Sequence, residues 1–315
     1  MTTAEKALPL WGLEGAEVTL IAARENTVYR LDHPAGKFAL RLHRARYRTD
    51  AQLTAELDWM AWVSQSGLSV PTPRMSLSGS HLQIVDGIQV DVLGWLEGST
   101  LDRSLLEMGA AARELTFETL GRNMAKLHIA SDAWPGAADS ARPVWDANGL
   151  VGDAPLWDRF WDNPALSNGQ RDLLLAFREK ARSDLAALAP SLDFGLIHAD
   201  LVPGNVMVQG PQLHLIDFDD GGFGFRLFEI ATALLKNLTL PDFDTLKSAL
   251  ISGYHAERQL DMTHLDLFLA LRAVTYVGWN ISRTNEDKTG ARNARFIRDA
   301  EALAVSYLER HPGFG

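Results

Sequence analysis

Two short segments carry the residues best suited to chemistry: His198-Ala199-Asp200-Leu201-Val202-Pro203-Gly204-Asn205, and, downstream, Leu215-Ile216-Asp217-Phe218-Asp219. Asp200 ends one apolar run and Asn205 opens the next. With Gly210-Pro211 as the turn, the runs on either side form a hairpin that sets Asn205 opposite Ile216, one step from Asp217. Pro203-Gly204 lets the chain turn, so that Asp200 comes back toward that strand end. Two carboxylates and a neutral amide suit a hard cation such as Mg²⁺, which takes few protein ligands and fills its shell with phosphate oxygens and water. In phosphoryl transfer a separate Asp orients the attacking hydroxyl and takes its proton. Read singly, Asp200 and Asn205 are turn residues and Asp217 is a strand-end cap. Read together, in a strand–loop–strand frame, they point to chemistry.

The elements that must position these residues follow from periodicity. Asn26 to Asp32 and Lys37 to His43 alternate around the turn His33-Pro34-Ala35-Gly36, which predicts a hairpin with Phe38, Leu40 and Leu42 on one face and Ala39, Arg41 and His43 on the other. Thr49 and Gln52 have capping-box spacing and open a helix that stops near Gly67, with Leu53, Leu57, Met60 and Ser64 along one side. Leu82 to Val85 and Ile88 to Leu93 flank Asp86-Gly87, a two-residue hairpin signal. Beyond Gly94 the pattern turns helical. Phe117, Leu120, Met124, Leu127 and His128 share a helical face, and Leu173–Leu188, Leu227–Leu238, Phe243–Glu257, His264–Ile281 and Arg292–Glu309 are further helix candidates. The island Gly195 to Phe218 has short β-like runs, and Ser131 to Asn168 is the least regular stretch. The pattern is a small β-rich lobe over residues 1–94 joined to a larger, mainly helical lobe over 95–315.

Composition bounds the function. The chain has 315 residues, 46 % hydrophobic and 22 % charged, which supports a sizeable core and excludes wholesale disorder. With no cysteine it has no disulfide, thiolate metal site, iron–sulfur cluster or cysteine nucleophile. A formal charge of −10 argues against a nucleic-acid partner, because duplex affinity rests on Lys and Arg neutralising phosphates. Met1 to Leu10 has no apolar run behind its charges, and no stretch approaches a membrane span, so no membrane partner and a cytoplasmic location are expected. Oligomeric state is not legible.

Asp-x4-Asn followed by a strand ending in Asp is the catalytic-loop spacing of kinase-like enzymes. On these motifs, from about Ile21 to Leu238, the chain resembles the aminoglycoside phosphotransferase / choline kinase-like family. The resemblance implies an α+β, two-lobed protein-kinase-like fold, ATP and Mg²⁺ as cofactors, and a small-molecule hydroxyl as acceptor. It implies that Asp200 is the catalytic base and that Asn205 and Asp217 hold Mg²⁺. The family reads His-Gly-Asp where this chain has Ala199, and Glu229 stands where an Asp supports the catalytic loop. Arg41 matches the family's phosphate-contacting Lys or Arg. Glu56, three and four residues from apolar neighbours, calls for a partner because burying it unpaired is expensive. Arg41–Glu56 is then the ion pair that positions the phosphates. Asn26 belongs to Ala22–Thr27, the loop placed as the family's phosphate-covering loop, and Val92 to Glu97 falls at the family's inter-lobe hinge.

Other readings stay open. Asp217 to Asp220 resembles the Asp-x-Asp-Asp run of stress-response kinases that phosphorylate protein Ser/Thr. A nucleotide-binding pseudokinase and an unrelated metal hydrolase are further rivals. Asp219 and Asp220 read equally as a solvated turn and as part of the site. Trp157 and Trp161 read as packing residues, with a pocket role as the alternative, and His128 as a packing or capping residue.

Overall fold

The computed structural model describes residues 1–23 and 26–312. Arg24 and Glu25, in the middle of the expected phosphate-covering loop, lie outside the described residues. The chain divides into two compact units. Unit one holds residues 1–142, 203–221 and 249–258, and unit two holds 143–202, 222–248 and the remainder from Gln259.

Unit one is built on a five-stranded antiparallel sheet. Its strands, in spatial order, are Glu17–Ala23, Thr27–His33, Gly36–Leu42, Ile88–Gly94 and Leu82–Val85. Both expected hairpins form. Thr27 pairs with Leu42 and His33 with Gly36, while Val85 pairs with Ile88 across Asp86-Gly87. Asp86 and Gly87 have φ of 52° and 77°, the two left-handed residues that a tight hairpin turn of matching twist requires. One face of the sheet, with Leu31, Phe38, Leu40, Val90 and Val92, packs on Ala4, Ala7, Leu8, Trp11 and Leu13 of the N-terminal turns. Alternation turns Arg41 to the other face. That side meets the helix Asp50–Gln65, which opens on the expected capping box: Thr49 Oγ1 accepts from Gln52 N at 3.2 Å, and Gln52 Oε1 accepts from Thr49 N at 3.0 Å.

The helix Ala110–Asp132 also belongs to unit one and buries Phe117, Leu120, Met124, Leu127 and His128, as its spacing predicts. His128 packs and hydrogen-bonds through Nδ1 to Tyr254 Oη at 2.7 Å. A second, three-stranded sheet in this unit pairs Gln212–Leu215 with Val206–Gln209, and that strand with Ser99–Thr100. The register is the expected one, with Gln212 opposite Gln209 and Leu215 opposite Val206.

Unit two is mainly helical. Its small sheet sets Gly222–Phe225 between Val144–Trp145 and Phe194–Ile197. Around it lie the helices Asn168–Leu188, Arg226–Leu235, Leu265–Trp279 and Ala291–Arg310, each at a stretch whose apolar spacing predicts one. Trp157 and Trp161, four residues apart, do not share an α-helix; Trp161 lies in the 3₁₀ turn Phe160–Asp162. Among the described residues no helix is long and apolar enough to cross a membrane.

Candidate active site

A cavity of about 640 Å³ opens in unit one. Its lining includes Ile21 to Ala23, Asn26, Arg41, Leu93 to Leu96, Asn205, Asp217 and Asp219. Five of the six residues singled out from the sequence are thus in this unit, four of them on the cavity wall and Glu56 behind Arg41. Asn205 ends the 3₁₀ turn Pro203–Asn205, and its carbonyl accepts from Ile216 N at 3.0 Å, which extends the hairpin by one pair and puts Asp217 one residue further. Asp217 has φ of 67°, a left-handed conformation that Asp tolerates better than bulkier residues and that breaks the strand there.

Behind the cavity lies a network of buried charges. Arg41 is 6 % exposed, so the strand face that alternation marks as polar is in fact covered. Its Nη1 donates to Glu56 Oε1 at 3.0 Å, forming the expected pair. It also donates through Nε and Nη2 to both oxygens of Asp91, each at 2.9 Å, and through Nη1 to Asp219 Oδ1 at 3.4 Å. Asp91 is the cross-strand neighbour of Arg41 and further binds His43 Nε2 at 2.6 Å. Burial pushes the Asp91 carboxyl up, and Arg41 and His43 more than reverse this, leaving it lowered to about 2. Glu56 follows the same logic: burial raises it, and Arg41 and Arg142 bring it below its ordinary value. Asp219 moves the other way, raised by burial and by the nearby Glu56.

Arg142 was not visible as a site residue in the sequence. It is buried and donates to Glu56 Oε2 at 3.0 Å and to the carbonyls of Gln52, Phe218, Asp219 and Gly221 at 2.7 to 3.2 Å. It therefore ties the Glu56 helix to the segment that follows Asp217. Asp219 and Asp220 are also engaged. Asn26 Nδ2 donates to Asp219 Oδ2 at 2.6 Å, and Arg48 Nη2 donates to Asp219 O at 3.1 Å and Asp220 Oδ1 at 3.2 Å. A plain solvated turn does not describe them.

Asp200 belongs to unit two. The strand Phe194–Ile197 delivers His198-Ala199-Asp200, and Glu229, in the first turn of Arg226–Leu235, accepts from His198 N at 2.7 Å. Glu229 is fully buried, and burial lifts its carboxyl to about 7 against the lowering effect of Arg226 and of the His198 and Ala199 amides. Ala199 has φ of 64°, which explains the usefulness of a glycine at this point and the mild strain of an alanine. Asp200 Oδ1 accepts from Arg272 Nη2 at 2.6 Å.

The donor set fits a hard divalent cation held with a polyphosphate. Asn205 and Asp217 offer one amide and one carboxylate oxygen on a shared wall. Among the described residues no cluster of three or more His, Asp or Glu is arranged as a protein-only metal cage. Mg²⁺ usually completes its shell with substrate phosphates and water.

Residues 17–267 match the model of the phosphotransferase enzyme family. A homoserine kinase of Phenylobacterium zucineum (strain HLK1) is 30 % identical over 75 % of this chain and 69 % of its own length. A solved microcompartment-associated aminopropanol kinase superposes with a TM-score of 0.83 at 27 % identity, covering 98 % of this chain and 97 % of that one. The amicoumacin kinase hAmiN, solved with AMP-PNP, Ca²⁺ and its ligand, shares the fold at a TM-score of 0.76 and 22 % identity, over 95 % and 92 % of the two chains. The architecture, strands toward the N-terminus and helices toward the C-terminus, is therefore protein-kinase-like, and the chain belongs to the phosphotransferase enzyme family as a kinase-type enzyme.

Proposed function

We propose that the enzyme transfers the γ-phosphoryl group of ATP, in the presence of Mg²⁺, to an alcohol of a small amino alcohol, amino acid, sugar or aminoglycoside. The observation that carries this reading is the convergence of Asn205, Asp217 and Arg41 on one cavity. Asn205 and Asp217 hold the metal, whose chemistry when bound is to neutralise and align the phosphate oxygens. Arg41, fixed by Glu56 and Asp91, presents a guanidinium to the phosphates, and Asn26 borders them. Residues 1–94 form the nucleotide-binding lobe, and 95–315 carry catalysis and acceptor binding.

In the reaction the acceptor oxygen forms a bond to the γ-phosphorus while the bond from that phosphorus to the β,γ-bridging oxygen breaks. ADP leaves with the electron pair. Asp200 orients the hydroxyl and receives its proton. The similarity to proteins named homoserine kinase and aminopropanol kinase favours small alcohols bearing an amine as the acceptors.

The test is ADP release from MgATP over a panel of homoserine, 1-amino-2-propanol, ethanolamine, choline and aminoglycosides, with a protein extract as the competing arm. Turnover on one of the small alcohols is expected. ADP release that depends on the protein extract alone contradicts the reading, as does MgATP binding with no turnover on any acceptor.

A further inference from the structure

Unit two contains a buried guanidinium with an unusual set of partners. Arg272 lies in the apolar helix Leu265–Trp279, between Leu271 and Ala273, and has no exposed surface. A buried cation is costly unless its charge is met. Its Nη2 donates to Asp200 Oδ1 at 2.6 Å and to Tyr276 Oη at 3.1 Å. Its Nε and Nη1 are buried with no hydrogen-bond partner among the described residues. Ring faces take up the remaining charge: the guanidinium carbon is 4.4 Å from the Trp157 ring centroid, 4.5 Å from Tyr276 and 5.3 Å from Phe228. Faces of this kind attract a cation without competing for it as carboxylates do. Among the described residues Asp200 is the one carboxylate at ion-pair distance from Arg272.

The box is held by the backbone. A Cβ on Gly278 would stand 2.2 Å from Trp157 O and 2.6 Å from Asp158 O, so a glycine is what lets the Trp157 segment close on the helix. Asp158 turns in the left-handed region, with φ of 61°. Trp157 is braced further by Trp145, edge-on at 5.3 Å between centroids.

We propose that Arg272 is the positioning residue of Asp200: a guanidinium boxed by aromatic rings that fixes the carboxylate in the orientation that meets the acceptor hydroxyl. The proposal rests on the reading of Asp200 as the proton acceptor. Arg272 does not touch substrate; it acts through Asp200, whose side chain keeps 22 % of its surface exposed. Only a planar guanidinium can stack between rings and donate in its own plane at the same time, so lysine keeps the charge but loses the geometry.

The experiment measures kcat, and separately the Kd for MgATP, in Arg272→Met and Arg272→Lys, each alone and with Asp200→Asn. The acceptor is whichever of homoserine, 1-amino-2-propanol and ethanolamine the parent turns over fastest. Arg272→Met is expected to lower kcat by about 10- to 100-fold, the effect of a misplaced reacting group, with Kd for MgATP within about twofold. Arg272→Lys falls between that variant and the parent, at least about threefold below the parent. In the Asp200→Asn background the Met substitution changes the residual rate by less than about twofold, because the group through which Arg272 acts has been neutralised. A kcat within about twofold of the parent for Arg272→Met overturns the proposal, as does an equal loss in both backgrounds. Should the Met variant not fold, Arg272→Lys decides by the same twofold limit. Full turnover by Asp200→Asn alone is a separate outcome, which removes the base assignment itself.

Discussion

Glu56 sits between two guanidiniums, 3.0 Å from Nη1 of Arg41 and 3.0 Å from Nη1 of Arg142, with no surface of its own in water. Glu56→Ala leaves two buried cations with one anion fewer. Removing one partner of a buried pair costs about 3–5 kcal/mol, most of it from the charge left behind. Both arginines keep other partners: Arg41 its two bonds to Asp91, Arg142 its four backbone carbonyls. The expected loss is therefore near the lower end, about 3 kcal/mol. Glu56→Gln preserves the shape and one carbonyl oxygen and loses the charge-assisted part of the bonding, about 1.5–3 kcal/mol. Urea unfolding followed by tryptophan fluorescence reads both, since Trp59 is buried on the same helix. The KM for ATP rises in both variants as Arg41 loses its brace. A Glu56→Ala protein within about 1 kcal/mol of the parent would refute the view that these cations depend on Glu56.

Two further outcomes follow from the loop around Asp200 and from its support, and a third from a close helix contact in unit one. Ala199→Gly relieves a left-handed alanine, about 1–2 kcal/mol, but loses a buried methyl and gains unfolded-chain entropy, each about 0.5–1 kcal/mol. Thermal denaturation should show a change within about 0.5 kcal/mol, and a loss beyond about 1.5 kcal/mol contradicts the balance. Glu229 has its folded pKa raised from 4.5 to about 7, so folding favours its protonated form. The corresponding stability is full below about pH 4.5 and is lost as pH rises through about 7, on the order of 3 kcal/mol in all. Glu229→Gln should flatten that part of the stability–pH curve, and an unchanged slope between pH 5 and 7 would show that Glu229 is not its source. In unit one, a Cβ on Gly253 would meet Glu118 O at 1.9 Å, so Gly253→Ala should cost at least about 1–3 kcal/mol by urea titration.

What the sequence reveals about this molecule is mostly local. The Asp86-Gly87 turn, the Thr49/Gln52 cap and the hairpin register after Asn205 are fixed by neighbours a few residues away, and each is legible. Arg41–Glu56 is legible too, because a carboxylate on an apolar helix face needs a cation. The residues that complete the network are not. Asp91 alternates with Val90 and Val92 and reads as a solvent-facing strand position until the helix Asp50–Gln65 is laid over that face. Arg142 lies in an irregular Pro- and Gly-rich stretch with no periodicity, and four of its partners are backbone carbonyls, which leave no mark on composition. Arg272 looks like a lone charge in an apolar helix, and its meaning comes from Trp157 and Asp200, 115 and 72 residues away in the chain. Trp161 packs on Phe160 and under the Arg178 guanidinium, and half-buried Trp157 packs on Trp145 and against the Arg272 guanidinium.

On the proposed function, Asp200 serves the phosphoryl-transfer step and not the binding of nucleotide. The direct measurement is a paired one on Asp200→Asn: turnover on the preferred acceptor, and MgATP affinity by calorimetric titration. A fall in kcat of about 10²- to 10⁴-fold is expected, with an ATP Kd within about threefold of the parent. Turnover within tenfold of the parent, or an equally large loss of ATP affinity, would contradict it.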